Sequence, residues 1–440
     1  MALSNTPTAS LPRNELKSRI HARLLESLDL VAAQRLPVQE LRDECLRRVD
    51  VLLSGEHTPL TTAEKQQLLR EVMDEIFGLG PLEELMRDVT VTDILVNGPT
   101  QVYVERSGRM ELTTARFRDE RHLIQVIQRI ASGVGRRIDE SSPMLDARLM
   151  DGSRVNAIIS PLSLKGAAMS VRRFAGVKID SARLVELGAW TNEMCRFMEA
   201  AVRCRANILV SGGTGTGKTT LLNVLSRWIP AGERVITIED AAELNLQREH
   251  VVTLETRPPN IEGKGEVTQR ELLKNTLRMR PDRIIIGEVR GGEALDMLQA
   301  MNTGHEGSMT TVHANTPRDA LRRIENMVAM SGMNWPVHVI RDQMANTLDL
   351  VIQAQRLTGG KRRITSIVEV CGMEREVVLA QELFRFRQTG LDGQGNAMGE
   401  FEACGVRPKL LDRMLREGLD MPPTIFNRPA GSMGPGSMGR

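Results

Sequence analysis

Aromatic residues are scarce in this 440-residue chain: eight Phe, three Trp and a single Tyr make up 3% of it. So few flat rings leave little from which to build stacking platforms for single-stranded nucleic acid. A formal net charge of +2, from 58 Lys and Arg against 56 Asp and Glu, gives no bulk pull toward nucleic acid or a membrane surface. Cysteine is sparse as well. Cys45, Cys195, Cys204, Cys371 and Cys404 lie far apart with no CxxC pair, which excludes a disulfide framework and reads as reduced, cytosolic thiols. No stretch approaches the roughly 18 apolar residues of a spanning helix, and MALSNTPTASLPRN lacks the apolar run of a secretory signal. Work at a membrane is therefore expected from its cytosolic side, through partners. An NKxD base-reading motif is also missing, which argues against a GTPase.

What is present is periodicity that changes along the chain. Leu16, Ile20, Leu24 and Leu28 recur every four residues, and Leu41, Cys45, Val49 and Leu52 repeat the pattern after Pro37. A third helix is expected from Thr61, with Thr61 and Glu64 as a capping box and Gly78 as its stop. From Thr92 short β-rich runs follow: DILVNG, QVYVE and MEL, then two strands within ARLMDGSRVNAIISPL and AAMSVRRF, with a helix around Glu120 to Ser132. From about Trp190 buried apolar strands alternate with helices, which implies a parallel sheet covered on both faces. The expected division is a helical segment (1–60), an α+β domain (61–174), a linker (175–185) with a hinge around Phe174 to Ile179, and an α/β domain (186–420). A disordered Pro/Gly/Ser/Met-rich tail (421–440) closes it.

The run GGTGTGKTT at Gly212 to Thr220 meets the pattern GxxxxGK[ST], and its context carries more weight than the string. A buried strand, NILVS, enters it and a helix leaves it. Backbone N–H groups of Gly213, Thr214, Gly215, Thr216 and Gly217 are expected to turn around a phosphate at a helix N-terminus. Lys218 would reach the β and γ phosphates, Thr219 would ligate Mg²⁺, and Thr220 would complete the cradle. Hydrolysis also needs carboxylates. Glu288 ends the strand RIIIGEV, placed to hold Mg²⁺ or polarise water, and Glu239 and Asp240 end VITIED with Glu243 one turn on. His305 and His313 flank a β-branched run without a third ligand, so they read as a structural pair or as sensors of the γ-phosphate or an interface rather than a metal site. Arg278, Arg280, Arg283 and Arg290 cluster around RIIIGEV as solvated charges or nucleotide contacts.

Four motifs thus stand in order: GGTGTGKTT, TIEDAAEL, RIIIGEVRGGEA and TGHEGSMTTVHAN. Together they resemble the phosphate-loop, Asp-box, Walker B and His-box motifs of the secretion ATPases that serve type II and type IV secretion and type IV pili. Upstream, GLGPLEELM, VTDILVNGPTQVYVERSGR and LMDGSRVNAIISPL are similar to the N-terminal domain of the CpaF (TadA) branch, the motor of tight-adherence (Flp) pili, so the resemblance spans about residues 65 to 355. It implies an α/β fold: a C-terminal RecA-like phosphate-loop domain with a parallel central sheet, preceded by a PAS-like α+β domain and a helical segment. It implies Lys218 and Thr219 as phosphate and Mg²⁺ contacts, Glu288 as the Walker B acid, Glu239 or Glu243 rather than Asp240 as catalytic acid, and His305 and His313 as the His-box pair. Arginines of the N-terminal domain close over the γ-phosphate in such enzymes, and Arg154, Arg172 and Arg173 match. The Cys-rich metal-binding insert frequent in the pilus-extension and type II branches has no counterpart here.

The expected function is therefore an ATP- and Mg²⁺-dependent homohexameric motor, cytoplasmic and peripheral at the inner membrane. It would work on platform proteins to assemble a tight-adherence pilus or secrete its subunits, without binding nucleic acid directly. Competing expectations are a type IV secretion or conjugation ATPase with the same chemistry, a hexameric nucleic-acid translocase, and a scaffold that binds ATP without turning it over.

Overall fold

The computed structural model describes residues 13–27, 38–55, 60–106, 108–173, 179–259, 263–333 and 335–427. The expected hinge at 174–178 and residues 428–440 of the expected tail lie outside them, as does Leu28. The chain divides into two compact units, Met1–Gly176 and Val177–Arg440.

In the first unit, helices Arg13–Ser27, Val38–Ser54 and Thr62–Phe77 bury Leu16, Ile20, Leu24, Cys45, Val49, Leu53, Leu68 and Val72 against one another. The fourfold spacing read from the sequence is the stripe that makes this bundle. The capping box also forms: the Thr61 backbone N–H donates to Glu64 Oε2 at 2.8 Å, and the Thr61 hydroxyl accepts from the Glu64 N–H at 3.3 Å. An antiparallel sheet follows, made of β1 (Val91–Asn97), β2 (Val102–Arg106), β3 (Arg109–Leu112), β4 (Met144–Arg148), β5 (Arg154–Ile158) and β6 (Ala168–Arg172). Its order is β3-β2-β1-β6-β5-β4, and helix Glu120–Gly133 packs Leu123, Val126, Ile127 and Ile130 into the same core. ARLMDGSRVNAIISPL, expected to hold one strand, spans the end of β4, a corner and the whole of β5. Its DGS turn is a hairpin corner, in which Asp151 Oδ1 accepts from the Ser153 N–H at 2.9 Å.

The second unit carries a nine-stranded mixed sheet: β7 (Ile208–Gly212), β8 (Val235–Glu239), β9 (Val251–Glu255), β10 (Arg283–Ile286), β11 (Met309–Val312), β12 (Leu350–Arg356), β13 (Arg362–Glu374), β14 (Val377–Leu391) and β15 (Ala397–Ala403). In the order β15-β14-β13-β12-β7-β11-β10-β8-β9, the six strands from β12 to β9 are parallel and the rest antiparallel. Alternate residues of the buried strands feed two cores. Ile208, Val210 and Ile285 face the helices Asn192–Arg203, Lys218–Ser226 and Leu410–Arg416, while Leu209, Ile284 and Ile286 face Gln269–Thr276, Glu293–Asn302, Pro317–Ala329 and Val337–Thr347. This is the α/β class expected, with both faces of a parallel sheet covered.

Three differences from expectation have physical reasons. The ribbon β13–β15 extends the parallel sheet by antiparallel hairpins, which a strand–helix alternation does not announce. The stretch expected as linker contains a helix, Ser181–Glu186, because Asp180 caps it by accepting from the Arg183 N–H at 2.8 Å. The expected disordered tail is docked at its start: Met421 and Phe426 are buried, and the Phe426 ring meets Phe197 and Phe384, each at 5.4 Å between centroids.

Candidate nucleotide site

β7 delivers the chain, fully buried, to Gly212. A Cβ at Gly212 would lie 2.6 Å from the Ala354 carbonyl of β12 and 2.5 Å from the Thr216 hydroxyl, so only glycine fits there. Gly217 caps the helix Lys218–Ser226 with φ of 94°, in the left-handed region, and the first N–H groups of that helix open onto the loop. The Lys218 ammonium donates to the carbonyls of Gly212 at 2.9 Å and Gly213 at 3.0 Å, and the Thr216 hydroxyl donates to Gly213 at 2.9 Å. Phosphate oxygens would be stronger acceptors for that ammonium than neutral carbonyls are.

The acids separate into different tasks. The Thr219 hydroxyl lies 3.5 Å from Glu243 Oε2, the long limit of a hydrogen bond, with both side chains half-buried. The Thr219 hydroxyl, a hard oxygen at a helix N-terminus, suits Mg²⁺, which takes one or two protein ligands and completes its shell with phosphates and water, and leaves Glu243 beside it to act on a water. Glu239 is buried at the end of β8 and turned away into its own turn. Its Oε1 accepts from the backbone N–H groups of Glu243 and Leu244, both at 3.0 Å. Between the two acids favoured from the sequence, the structure thus brings Glu243 to Thr219 and uses Glu239 to shape the loop that carries Glu243. Asp240 and Glu288 are bridged by Arg290, which donates to them at 3.1 and 2.9 Å. The strand leading to Glu288 lies two spacings from β7, about 10 Å.

The type II/IV secretion system protein family matches residues 75–390 of this sequence. A putative conjugal transfer protein of Mycobacterium tuberculosis is 38% identical over 305 residues, covering 68% of this chain and 86% of its own. The conjugal transfer protein TrbB of Rhizobium radiobacter is 32% identical over 70% of this chain and 91% of its own, and the type IV secretion system protein VirB11 of Bartonella quintana is 30% identical over 66% and 91%. Among solved structures, the VirB11 ATPase of Brucella suis in complex with sulphate is 29% identical with a TM-score of 0.36, over 67% of this chain and 97% of that one. This chain belongs to the type II/IV secretion system protein family. It is an ATPase of that family.

Within this secretion ATPase the two histidines are set apart. β11 runs parallel to β7, so His313, just past its end, shares the sheet edge of the phosphate loop. His305 precedes β11 at the opposite edge, four strand residues away or about 13 Å, with its Nδ1 3.2 Å from the Ala300 carbonyl. Arg283, one of the cluster around RIIIGEV, points inward instead: it is fully buried and pairs with Glu233 at 2.5 Å.

The three arginines matched to the N-terminal domain belong to the first unit. Arg154 donates to both oxygens of Asp146, at 3.1 and 2.6 Å, and lies opposite the exposed Arg172 across β5 and β6. Arg173 is committed to the backbone, donating to the carbonyls of Asp88 and Val91. Sequence reasoning missed another group altogether, on β12 and β13. Gln353 and Gln355 donate to the carbonyls of Ala314 and Asn315, at 3.2 and 3.1 Å, holding the segment that follows His313. Arg362 donates to the carbonyl of Gly215 at 2.8 Å. The basic run RLTGGKRR at 356–363 is the signal that could have drawn attention to them.

Proposed function

We propose that this ATPase drives a type IV secretion or conjugal transfer apparatus, as a ring of six copies at the cytosolic face of the inner membrane acting on membrane-embedded partners. The relatives named for conjugal transfer and for VirB11 support transfer over assembly of a tight-adherence pilus, which rests on upstream sequence motifs alone. The observation that carries the ATP chemistry is the loop itself: a lysine ammonium resting on the loop's own carbonyls, beside a threonine hydroxyl that faces a glutamate.

In this reading the phosphates of ATP take over the Lys218 ammonium and the N–H groups from Gly213 to Thr220. Thr219 would hold Mg²⁺, whose charge would supply compensation for the negative charge that develops on the transferred phosphoryl oxygens. Glu243 orients or deprotonates the attacking water, Glu288 is the second candidate for that task or for the metal's shell, and Glu239 fixes the turn between them. His313 senses the γ-phosphate from the end of β11, and His305 serves the fold. Of the arginines nominated by the resemblance, Arg173 is spent on its own backbone, and the nomination of Arg154 and Arg172 rests on the resemblance alone.

Phosphate release from the purified chain tests the chemistry beside Lys218→Ala and Glu243→Gln. The expected loss is about 100-fold or more for each, the scale of removing one preorganised transition-state contact; equal rates for all three proteins would overturn the site. For the biological task, the gene is deleted in its host and restored with wild-type or Lys218→Ala copies. Loss of DNA or protein transfer with pili intact supports the reading, and loss of pili with transfer intact returns pilus assembly.

A further inference from the structure

Past the last ladder pair of β10 with β11, Ile286 opposite Thr310, the chain that carries Glu288 is held by contacts of another kind. The Gly287 N–H still donates to the Ile238 carbonyl of β8 at 2.9 Å. Its carbonyl instead accepts from a side chain, the Thr311 hydroxyl, at 2.7 Å. The Val289 N–H donates back to the Thr311 carbonyl at 3.0 Å, and Gln269 Nε2 donates to the carbonyl of Glu288 itself at 3.1 Å. Thr311 is 2% exposed and Gln269 8%. A buried hydroxyl or amide costs free energy unless it is hydrogen-bonded, and valine would fill the place of Thr311 in a buried strand, so these two polar side chains call for a reason. Room is also short on the other flank: a Cβ at Gly287 would lie 2.7 Å from Cγ of Glu239.

We propose that Thr311 and Gln269 are positioning residues for Glu288, a clamp of two buried side chains that fixes the peptides on either side of it and so sets the direction of its carboxylate. Each peptide unit is a rigid plane, and the two planes that meet at a Cα determine where its Cβ points. The Thr311 hydroxyl holds the plane before Glu288 through the Gly287 carbonyl. Gln269 and the Thr311 carbonyl hold the plane after it, through the Glu288 carbonyl and the Val289 N–H. A misplacement of about 1 Å in a reacting group can cost about 100-fold in rate, so a fixed backbone is worth having at an acid that acts on water or on the metal's shell. Thr311 lies two residues before His313 on β11. One strand therefore sets the backbone of the histidine on the loop side and of the acid at the end of β10.

The inference rests on Glu288 being an acid of the reaction, and a double-mutant cycle separates the two. Steady-state phosphate release, ADP binding by calorimetry and thermal unfolding are measured on the full chain. The variants are Thr311→Val, Thr311→Ser, Gln269→Met, Glu288→Gln, and the first and third of these each combined with Glu288→Gln. Thr311→Val keeps the shape and removes only the hydroxyl. It is expected to lower kcat about tenfold while KM and ADP affinity stay within about twofold of wild type, because a misaimed acid costs rate and not binding. Gln269→Met is expected to lower kcat about threefold, and Thr311→Ser to recover most of the threonine loss. Glu288→Gln should lose at least as much as Thr311→Val. On top of it neither clamp variant should add more than about twofold, since aim no longer matters once the carboxylate is gone. A kcat within about twofold of wild type in both clamp variants overturns the proposal. So does a loss that multiplies undiminished onto that of Glu288→Gln, or one matched by an equal loss of ADP affinity. If Thr311→Val does not fold, Gln269→Met and its double variant decide alone. Wild-type turnover in Glu288→Gln would remove Glu288 from the chemistry and the clamp with it.

Discussion

The two ends of the parallel strands in the nucleotide-binding sheet are built on opposite rules. At their N-terminal ends buried polar side chains close on several protein partners each. Buried Asn207 accepts from the N–H groups of Gly307 and Ser308 and donates to the carbonyls of Met301 and Thr347, stapling the starts of β7, β11 and β12. Arg283 holds Glu233 through two bonds and the carbonyl of Val202 through another at 2.7 Å. At the C-terminal ends the contacts around the phosphate loop are looser: an ammonium on neutral carbonyls and a glutamate at the limit of reach of a hydroxyl. Satisfied networks rigidify, whereas groups held by weak or mismatched partners keep capacity for a ligand. Active crevices of open α/β sheets lie outside the carboxyl ends of their strands, and here the hydrogen bonding around the phosphate loop marks that edge.

Arg283→Met should give the largest effect on stability. It strips donors from Glu233 and Val202 in a buried setting, where removing one partner of an ion pair costs about 3–5 kcal/mol. Arg205, 3.2 Å from Glu233, retains part of that compensation, so the lower half of the range is expected. Urea unfolding measures it. A loss below about 1 kcal/mol would break the contrast between the edges.

Next in size is a divergence between two glutamates four residues apart. Glu243→Gln should lower turnover about 100-fold with little change in melting temperature. In Glu239→Gln one oxygen can keep the N–H groups of Glu243 and Leu244, but the amide NH2 in the place of Oε2 then sets a second donor against the Leu244 N–H, and a buried donor left unsatisfied costs about 1–3 kcal/mol. Its melting temperature should fall, with turnover reduced less than in Glu243→Gln. If Glu239→Gln abolished turnover at unchanged stability, the assignment of the two acids would reverse.

The first unit offers a buried charge of the satisfied kind in which pH replaces mutation. Glu75 is 7% exposed and meets Lys17 at 2.8 Å and His122 at 2.7 Å. Burial pushes its carboxyl up, but the hydrogen bonds from His122 and Lys17 outweigh burial and hold it at about 2, against 4.5 for the ordinary group. Because the folded value is the lower one, this contribution is complete above about pH 4.5 and disappears as pH falls toward 2. Between pH 5.5 and 3.5 the chain should lose about 1–1.5 kcal/mol through this group. Glu75→Gln should flatten that part of the stability profile, measured by urea unfolding at stepped pH; an unchanged slope would remove Glu75 from the account.

How much of this was legible follows from what a linear order can encode. The capping box at Thr61 and Glu64, the loop from Gly212 to Thr220 and the strand–helix alternation are local, and each was readable because its partners lie within a few residues. Glu243 beside Thr219 was not, since 24 positions separate them and only the turn after β8, held by Glu239, returns one to the other. Arg362 was further out of reach. Its meeting with Gly215 depends on β12 lying beside β7, a sheet order that no motif announces.

The histidines carry the smallest expected effects and test the contrast most directly, because one motif places one of them on each edge. His313 follows β11 on the loop side, and the carbonyl after it accepts from both Ser211 at 3.4 Å and Gln353 at 3.2 Å, so its backbone is held to β7 and β12 while its side chain is only half-buried. A side chain so positioned can respond to what occupies the loop. His305 has its Nδ1 on the Ala300 carbonyl, at the end where contacts are closed. His313→Ala is therefore expected to lower turnover by about tenfold at unchanged melting temperature, within the range of a positioned polar group. His305→Ala should leave turnover within about twofold and lower stability by about 0.5–1.5 kcal/mol, the worth of one hydrogen bond. Steady-state phosphate release and thermal unfolding on the same preparations read both. Equal losses of turnover in the two variants would mean that the strand joins its two ends functionally, and the division between a structural edge and a reactive edge would fail.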